Sequence, residues 1–345
     1  MSAYFLRQAK WLISAGSVAL LLTGAGTFNR PTLAQQATQQ ATAVPTAAAT
    51  QSPSSSGQTI FVILMENHNW ADIVNKPSAP YINQTLLPLA AHAEQYFNPP
   101  GIHPSEPNYL WLEAGTNFGI RNDSGPSNNH QSSTAHLTHL LDAAGISWKA
   151  YQEGISGKGC PLTNVVTDGL SYAPKHNPMI FFDDVTGTND PHSAYCIAHI
   201  RPYSELATDL TSSDTTVHYN FITPDLCNDM HNAGGCITRD SVRNGDTWLA
   251  REVPKILASA AYQQNGMLFI TWDESEGGDK NPIGLIALGQ NVRPGYSNKV
   301  HYTHSSLLRT IQEVFNVTPL LGDAANATDL SDLFTSFPYS TSTLP

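Results

Sequence analysis

The clearest pattern in the chain is an unbroken apolar run, Thr59-Ile60-Phe61-Val62-Ile63-Leu64-Met65, that stops abruptly at Glu66-Asn67-His68-Asn69. A run of this length without polar alternation suits a strand covered on both faces of an α/β sheet. In such sheets ligands gather beyond the carboxyl ends of the strands, so the polar tetrad is where chemistry is expected. Shorter runs at His218–Ile222, Met267–Trp272 and Ile283–Leu288 are each bounded by Gly, Pro, Asn or Asp and read as further strands.

Helical patterns lie between them. Ser132-Ser133-Thr134 precedes Ala135–Ala144, which Gly145 closes, so a hydroxyl N-cap is expected to open this helix and a glycine to end it. A second helix is expected from Asp246 to about Tyr262, kinked or split at Pro254. A third covers Ser305–Phe315, with Leu307, Leu308, Ile311 and Val314 on one face. Strands alternating with helices predict an α/β fold with a largely parallel central sheet. The stretches 97–131 and 152–216, rich in Pro, Gly, Asn, Ser and His, read as long loops, several of them folding over the catalytic edge of the sheet.

Composition changes the picture mainly at the N-terminus. Arg7 and Lys10 precede an apolar stretch from Trp11 to Leu22 and small residues up to Ala34, the order of a secretory signal peptide over residues 1–34, with an uncleaved anchor as the competing reading. Residues 35–58 are almost all Ala, Thr, Gln, Ser and Pro and read as a disordered linker. The remainder, 59–345, suits one large catalytic domain. The formal charge is −11, and losing residues 1–34, which hold Arg7, Lys10 and Arg30 and no acid, makes the mature chain more acidic still. That surface argues against nucleic acid as partner, but not against a phosphate ester held at a metal site. Four cysteines fit an exported protein with two disulfides, secreted or at the periplasm or cell surface; Cys227 with Cys236 is the favoured pair and Cys160 with Cys196 follows.

Candidate chemistry sits at two strand ends and in the loops. Asp273-Glu274 ends the strand Met267–Trp272; adjacent carboxylates leaving a buried strand repel each other unless a cation or proton intervenes. With Glu66 and Asn67 they make four hard oxygen ligands for a divalent metal ion of unknown identity. Ser133, with Ser132 and Thr134 beside it, stands where a helix N-terminus favours a nucleophile or a bound anion. His103, His176, His231, His301 and His304 all fall in loop segments. Together these groups suggest metal-assisted displacement at phosphorus, with a hydroxyl nucleophile and histidines holding phosphoryl oxygens or protonating the leaving alkoxide.

The segments FVILMENHNW, HPSEPNYLWL, LLDAAGISWKAYQE, KHNPMIFF, NFITPDLCNDMHN, GDTWLAREVPKIL, FITWDESEGGD and HYTHSSLLRTIQEVF resemble, in content and order, the phosphoesterase family of bacterial acid phosphatases and phosphocholine-preferring phospholipases C, within the alkaline phosphatase superfamily. The resemblance runs from about Ile60 to Val317. It implies an alkaline-phosphatase-like sandwich, with helices on both faces of the sheet, and hydrolysis of phosphate esters through a phosphorylated hydroxyl. By resemblance Glu66, Asn67, Asp273 and Glu274 are metal ligands, Ser133 matches the helix-opening hydroxyl, and His103, His176, His231 and His304 match phosphate-contacting histidines. Where the family commonly has Arg-Ser after Glu-Asn, this chain has His68-Asn69, and His304 is followed by Ser-Ser rather than Tyr-Ser. These departures bear on substrate contacts. The expected activity is acid-phosphatase-like hydrolysis of a small-molecule or lipid phosphate monoester, with contact to a membrane surface left open. The alternatives are a phospholipase C acting on phosphocholine lipids and a non-catalytic, surface-tethered binding domain on the same scaffold.

Overall fold

The computed structural model describes residues 57–231 and 234–337. The expected signal peptide and all but the last two residues of the expected linker lie outside the described residues. Eight strands form one sheet: β1 (Thr59–Met65), β2 (Ala91–Ala93), β3 (Trp148–Gln152), β4 (Ile200–Pro202), β5 (Tyr219–Thr223), β6 (Gly266–Trp272), β7 (Leu285–Gly289) and β8 (Tyr296–Asn298). Their spatial order is β8-β2-β7-β6-β1-β5-β3-β4. The run from β6 to β4 is parallel, and β7 is antiparallel to both β6 and β2. This is the expected α/β sheet, largely parallel, with an antiparallel turn near one edge.

β1 occupies the middle. All seven of its residues are buried, which a strand achieves only when both faces of the sheet are covered. Fully burying an aliphatic or aromatic side chain contributes about 1.5–3 kcal/mol, so the six from Ile60 to Met65 anchor the strand, and the position of Glu66 just beyond it is set by the core. β6 is likewise buried along its whole length.

The helices that bear on the site are α1 (Ser105–Ala114), α2 (Leu137–Ala143), α3 (Ser241–Leu257), α4 (Ala260–Asn265) and α5 (His304–Phe315). The expected split after Pro254 appears as the break between α3 and α4, where Ser259 caps the second helix by accepting from Tyr262 N. α2 starts later than the hydroxyl run predicts. Its N-cap is His136, whose Nδ1 lies 3.4 Å from His139 N, and Ser133 Oγ instead accepts from Ala135 N in the segment before the helix.

α1 is the main departure, because it lies inside the stretch 97–131 that reads as loop. Pro104 precedes it and Pro107 sits in its first turn, where a missing N–H costs nothing, so the prolines that suggest a loop in fact mark a helix start. Gly115 closes it at φ +66, donating to Trp111 O, and a Cβ there would lie 2.3 Å from Leu321 O. Only glycine fits that turn. Both expected disulfides form, Cys160–Cys196 and Cys227–Cys236. Among the described residues no helix is long and apolar enough to cross a membrane.

Candidate active site

The site is built by strand register. β1 and β6 pair in parallel from Thr59 with Gly266 to Met65 with Trp272, so the next residues, Glu66 and Asp273, leave the sheet side by side. Asp273 N donates to Met65 O at 2.9 Å, and Asn67 N donates to Asp273 Oδ1 at 3.0 Å. The Asn67 side-chain amide donates to Glu274 Oε1 at 2.7 Å. The four residues that the sequence proposes as metal ligands therefore meet at one point. On the other side of β1, the segment after β5 contributes Asp229, whose backbone carbonyl accepts from Glu66 N at 2.7 Å.

α1 closes the cluster from above. Residues three and four apart share a helix face, and Ser105, Asn108 and Tyr109 all point at the strand ends. Ser105 Oγ donates to Glu66 Oε2 at 3.1 Å, Tyr109 Oη donates to Glu66 Oε1 at 2.6 Å, and Asn108 Nδ2 donates to Glu274 Oε2 at 3.2 Å. Ser105 is buried in the first turn, where backbone N–H groups and the helix dipole favour negative charge.

His176 completes the buried floor. Thr223 Oγ1, at the end of β5, donates to the His176 carbonyl at 3.1 Å, and the imidazole stacks on Tyr109 with ring centres 5.0 Å apart. Its Nε2 is 3.2 Å from Glu66 Oε1 and its Nδ1 is 3.5 Å from Asp229 Oδ2, yet neither approach has hydrogen-bond geometry. Four buried atoms are consequently left without a hydrogen bond, three of them held only by these charge contacts: both His176 ring nitrogens, Asp229 Oδ2 and Asp273 Oδ2. Buried polar atoms are normally satisfied. Four orphans in one spot mark a place built to receive something.

The electrostatics agree. Burial pushes the Asp273 carboxyl well above the usual range, with Glu66 and Glu274 adding repulsion. Burial likewise lifts Asp229 to about 7. Glu274 also rises to about 7 by burial, against the pull of His103. Burial would lift Glu66 as well, but the nearby His176 outweighs it and holds the carboxyl at about 2. The same pairing carries His176 to about 9 despite its burial. A bound cation would relieve this repulsion between carboxylates. Single ligand atoms of Glu66, His176 and Asp229 lie within 4.8 Å of one another, and the carboxylate and imidazole donors suit a divalent ion.

The other proposed histidines divide. His103 touches Glu274 through Nδ1 and Asp279 through Nε2, the latter at 2.5 Å, and these carboxylates raise its pKa against the effect of partial burial. His231 is exposed at the rim, its ring centre 5.9 Å from that of His176. His304 is buried at the start of α5, with Nε2 2.5 Å from Asp273 O and Nδ1 3.1 Å from Tyr96 Oη. A carbonyl only accepts, so Nε2 carries the proton and Nδ1 accepts from the tyrosine; burial holds the pKa at about 4. Both nitrogens are occupied by protein, so His304 positions the Asp273 strand end and does not reach a phosphate. Ser133 is not part of this assembly. α2 packs beside Glu113, which lies eight residues after Ser105 and thus about 12 Å further along α1. The hydroxyl at the strand ends is Ser105.

The comparisons with known proteins decide the family. A model described as the phosphoesterase family matches residues 89–318. The phosphatidylinositol-3-phosphatase of Mycobacterium tuberculosis is 31% identical over 276 residues, covering 80% of this chain and 82% of its own. The chain belongs to the phosphoesterase family. A probable acid phosphatase of Kluyveromyces lactis is 28% identical over 298 residues, which span 81% of this chain and 65% of that protein. The fold is similar to that of a Vibrio parahaemolyticus protein in the alkaline phosphatase superfamily, which superposes with a TM-score of 0.53 at 11% identity, over 80% of this chain and 71% of its own. As a member of this family, the protein is a phosphoric ester hydrolase.

Asp229 and Ser105, with Asn108 and Tyr109, join this cluster without having been among the residues proposed from the sequence. Asp229 lies two positions before His231 in a motif already singled out, NFITPDLCNDMHN, and Ser105 lies in HPSEPNYLWL. In the second case the signal was Ser105 and Tyr109 at helical spacing, followed by Leu110, Leu112 and the closing Gly115.

Proposed function

We propose that this phosphoesterase is an exported, metal-dependent phosphomonoesterase of the acid-phosphatase kind, with Ser105 as its nucleophile. The observation that carries the reading is the buried Ser105 hydroxyl, 3.1 Å from Glu66 at a helix N-terminus, beside four buried ligand atoms that make no hydrogen bond. Glu66, His176, Asp229 and Asp273 would hold the cation, with Asn67 and Glu274 bordering it. When bound, the cation would polarise the phosphoryl group and lower the pKa of a coordinated hydroxyl.

Ser105 Oγ attacks phosphorus as the ester P–O bond breaks, giving a phosphoserine and an alcohol; water then attacks the phosphoserine and releases inorganic phosphate. Glu66 Oε2 faces the seryl hydroxyl as the first acceptor for its proton. The α1 N-terminus supports the negative charge of the transferring group. Asn67, His68, His231, Ser241 and Glu276 line a cavity at the mouth of the site, where the leaving alcohol would lie. His68 Nε2 is 2.9 Å from Ser241 Oγ, so the His68 departure shapes the substrate wall and leaves the metal cluster intact. The relatives named as acid phosphatases and as a phosphatidylinositol-3-phosphatase support a monoester on a small alcohol or a lipid headgroup. The two disulfides support an oxidising, extracytoplasmic setting.

The test is a substrate panel of chromogenic phosphomonoester, phosphoinositide, phosphocholine lipid and phosphodiester, with and without chelator. Turnover of monoesters that chelation abolishes and a divalent metal restores is the expected result. Preferred release of phosphocholine would assign phospholipase C instead.

A further inference from the structure

A second set of ligating side chains lies at the far end of α1. His136, the N-cap of α2, and His139, three residues on, face Asp184 in the short helical turn Asp183–Thr186. His136 Nε2 is 3.0 Å from Asp184 Oδ1, and His139 Nδ1 is 2.9 Å from Asp184 Oδ2. Behind them, His136 Nδ1 is 3.1 Å from Thr138 Oγ1 and 3.3 Å from Glu113 Oε1. The Thr138 hydroxyl spends its proton on Glu113 at 2.7 Å, so it offers His136 only a lone pair, as does the carboxylate. These two acceptors lie closer to Nδ1 than the His139 N–H, which at 3.4 Å is beyond the usual hydrogen-bond range, so Nδ1 carries the proton and Nε2 is directed at Asp184. The ring is held flat against Phe182, with centroids 3.9 Å apart. A histidine whose far nitrogen donates to a hydroxyl and a carboxylate while its near nitrogen meets a carboxylate beside a second imidazole, with ring centres 5.7 Å apart, has the outer-shell arrangement of a metal ligand.

We propose that His136, His139 and Asp184 bind a zinc-like divalent cation at a site separate from the phosphoesterase centre. Their ligand atoms lie within 4.8 Å of one another. Two imidazoles and one carboxylate select a borderline ion such as zinc over calcium or magnesium. His136 is buried, while His139 and Asp184 are partly open to solvent, which leaves a coordination position for water. The ion staples the start of α2 to the Asp183–Thr186 turn and, through Glu113, to the end of α1. The competing occupant is a proton on His136 Nε2, paired with Asp184.

The test strips the full chain with chelator, reloads it with zinc, and measures bound zinc and Tm for wild type, His139→Ala, Asp184→Asn and Glu66→Gln. Each of the first two variants should lose one zinc equivalent and the zinc-dependent rise in Tm, while keeping hydrolysis of a phosphomonoester. Glu66→Gln should keep that equivalent and that rise. Glu113→Gln should weaken the site about 10–100-fold. Zinc content and Tm response in His139→Ala and Asp184→Asn equal to wild type would overturn the proposal.

Discussion

At the N-terminal end of α1, Ser105 and Tyr109 face Glu66 among crowded carboxylates, and four buried atoms make no hydrogen bond. At the C-terminal end, Glu113 is engaged by Thr138 through backbone and side chain, and both His136 nitrogens reach partners. The helix thus separates two polar clusters of similar composition and opposite satisfaction. Unsatisfied buried groups cost free energy and persist where a ligand completes them, whereas a closed network holds its neighbours in place. On this contrast the first end is the proposed seat of the chemistry, and the second, as the place of the proposed cation staple, supports the scaffold.

The largest effect expected is from Ser105→Ala, which should reduce kcat at least roughly 10³-fold, on the scale seen when a nucleophile is removed, whereas Ser133→Ala should stay within about twofold, as its hydroxyl is outside the site. Steady-state kinetics on a chromogenic monoester distinguishes them. Comparable losses in both variants would erase the distinction between the two ends. Next, Glu66→Gln or Asp273→Asn should abolish turnover together with one divalent equivalent, read by metal analysis. Since Asp273→Asn removes a buried carboxylate that its neighbours repel, its Tm in metal-free buffer should hold or rise, although activity is gone. A fall in Tm would mean that the strand-end carboxylates serve the fold.

At the other end, Glu113→Gln should cost stability, about 1–3 kcal/mol by denaturant titration, because Thr138 N, Thr138 Oγ1 and His136 all bind that carboxylate. Its kcat should change little. The last effect is confined to a pH window and concerns Glu106, buried beside Ser105 and raised by burial to about 7, against the Asn129 and Gly125 donors. A carboxyl whose folded pKa lies above its unfolded value keeps a proton that the unfolded chain has lost. Stability should therefore decline as pH rises from about 4.5 to 7. Glu106→Gln should flatten that part of the stability profile, and an unchanged slope would remove Glu106 as its source.

The legible part of this molecule was its longest buried strands. β1 and β6 could be read because seven consecutive buried residues leave an unmistakable run, and the register between them then delivers Glu66 and Asp273 together. The three-residue strands β2, β4 and β8 present too few positions for a period to register. The proposed nucleophile is hidden in the sequence for a related reason. Hydroxyls before an apolar stretch signal a helix start, and α2 fits that rule by sequence, yet its cap is an imidazole. α1 hides behind Pro104 and Pro107, and its buried face mixes Ser105, Asn108 and Glu113 with Tyr109 and Leu112, so polarity that serves the site blurred the amphipathic signal. Asp229 could not be found by strand pattern, since it lies in the segment after β5 and reaches Glu66 only through tertiary contact.

The most direct test of the account is where phosphate resides during turnover. The protein is mixed with excess phosphomonoester, quenched in acid within the first turnovers, digested and analysed by mass spectrometry. Phosphate on the peptide containing Ser105, absent in Ser105→Ala, is the predicted result. Phosphate on Ser133, or an active enzyme that never carries phosphoserine, would contradict it.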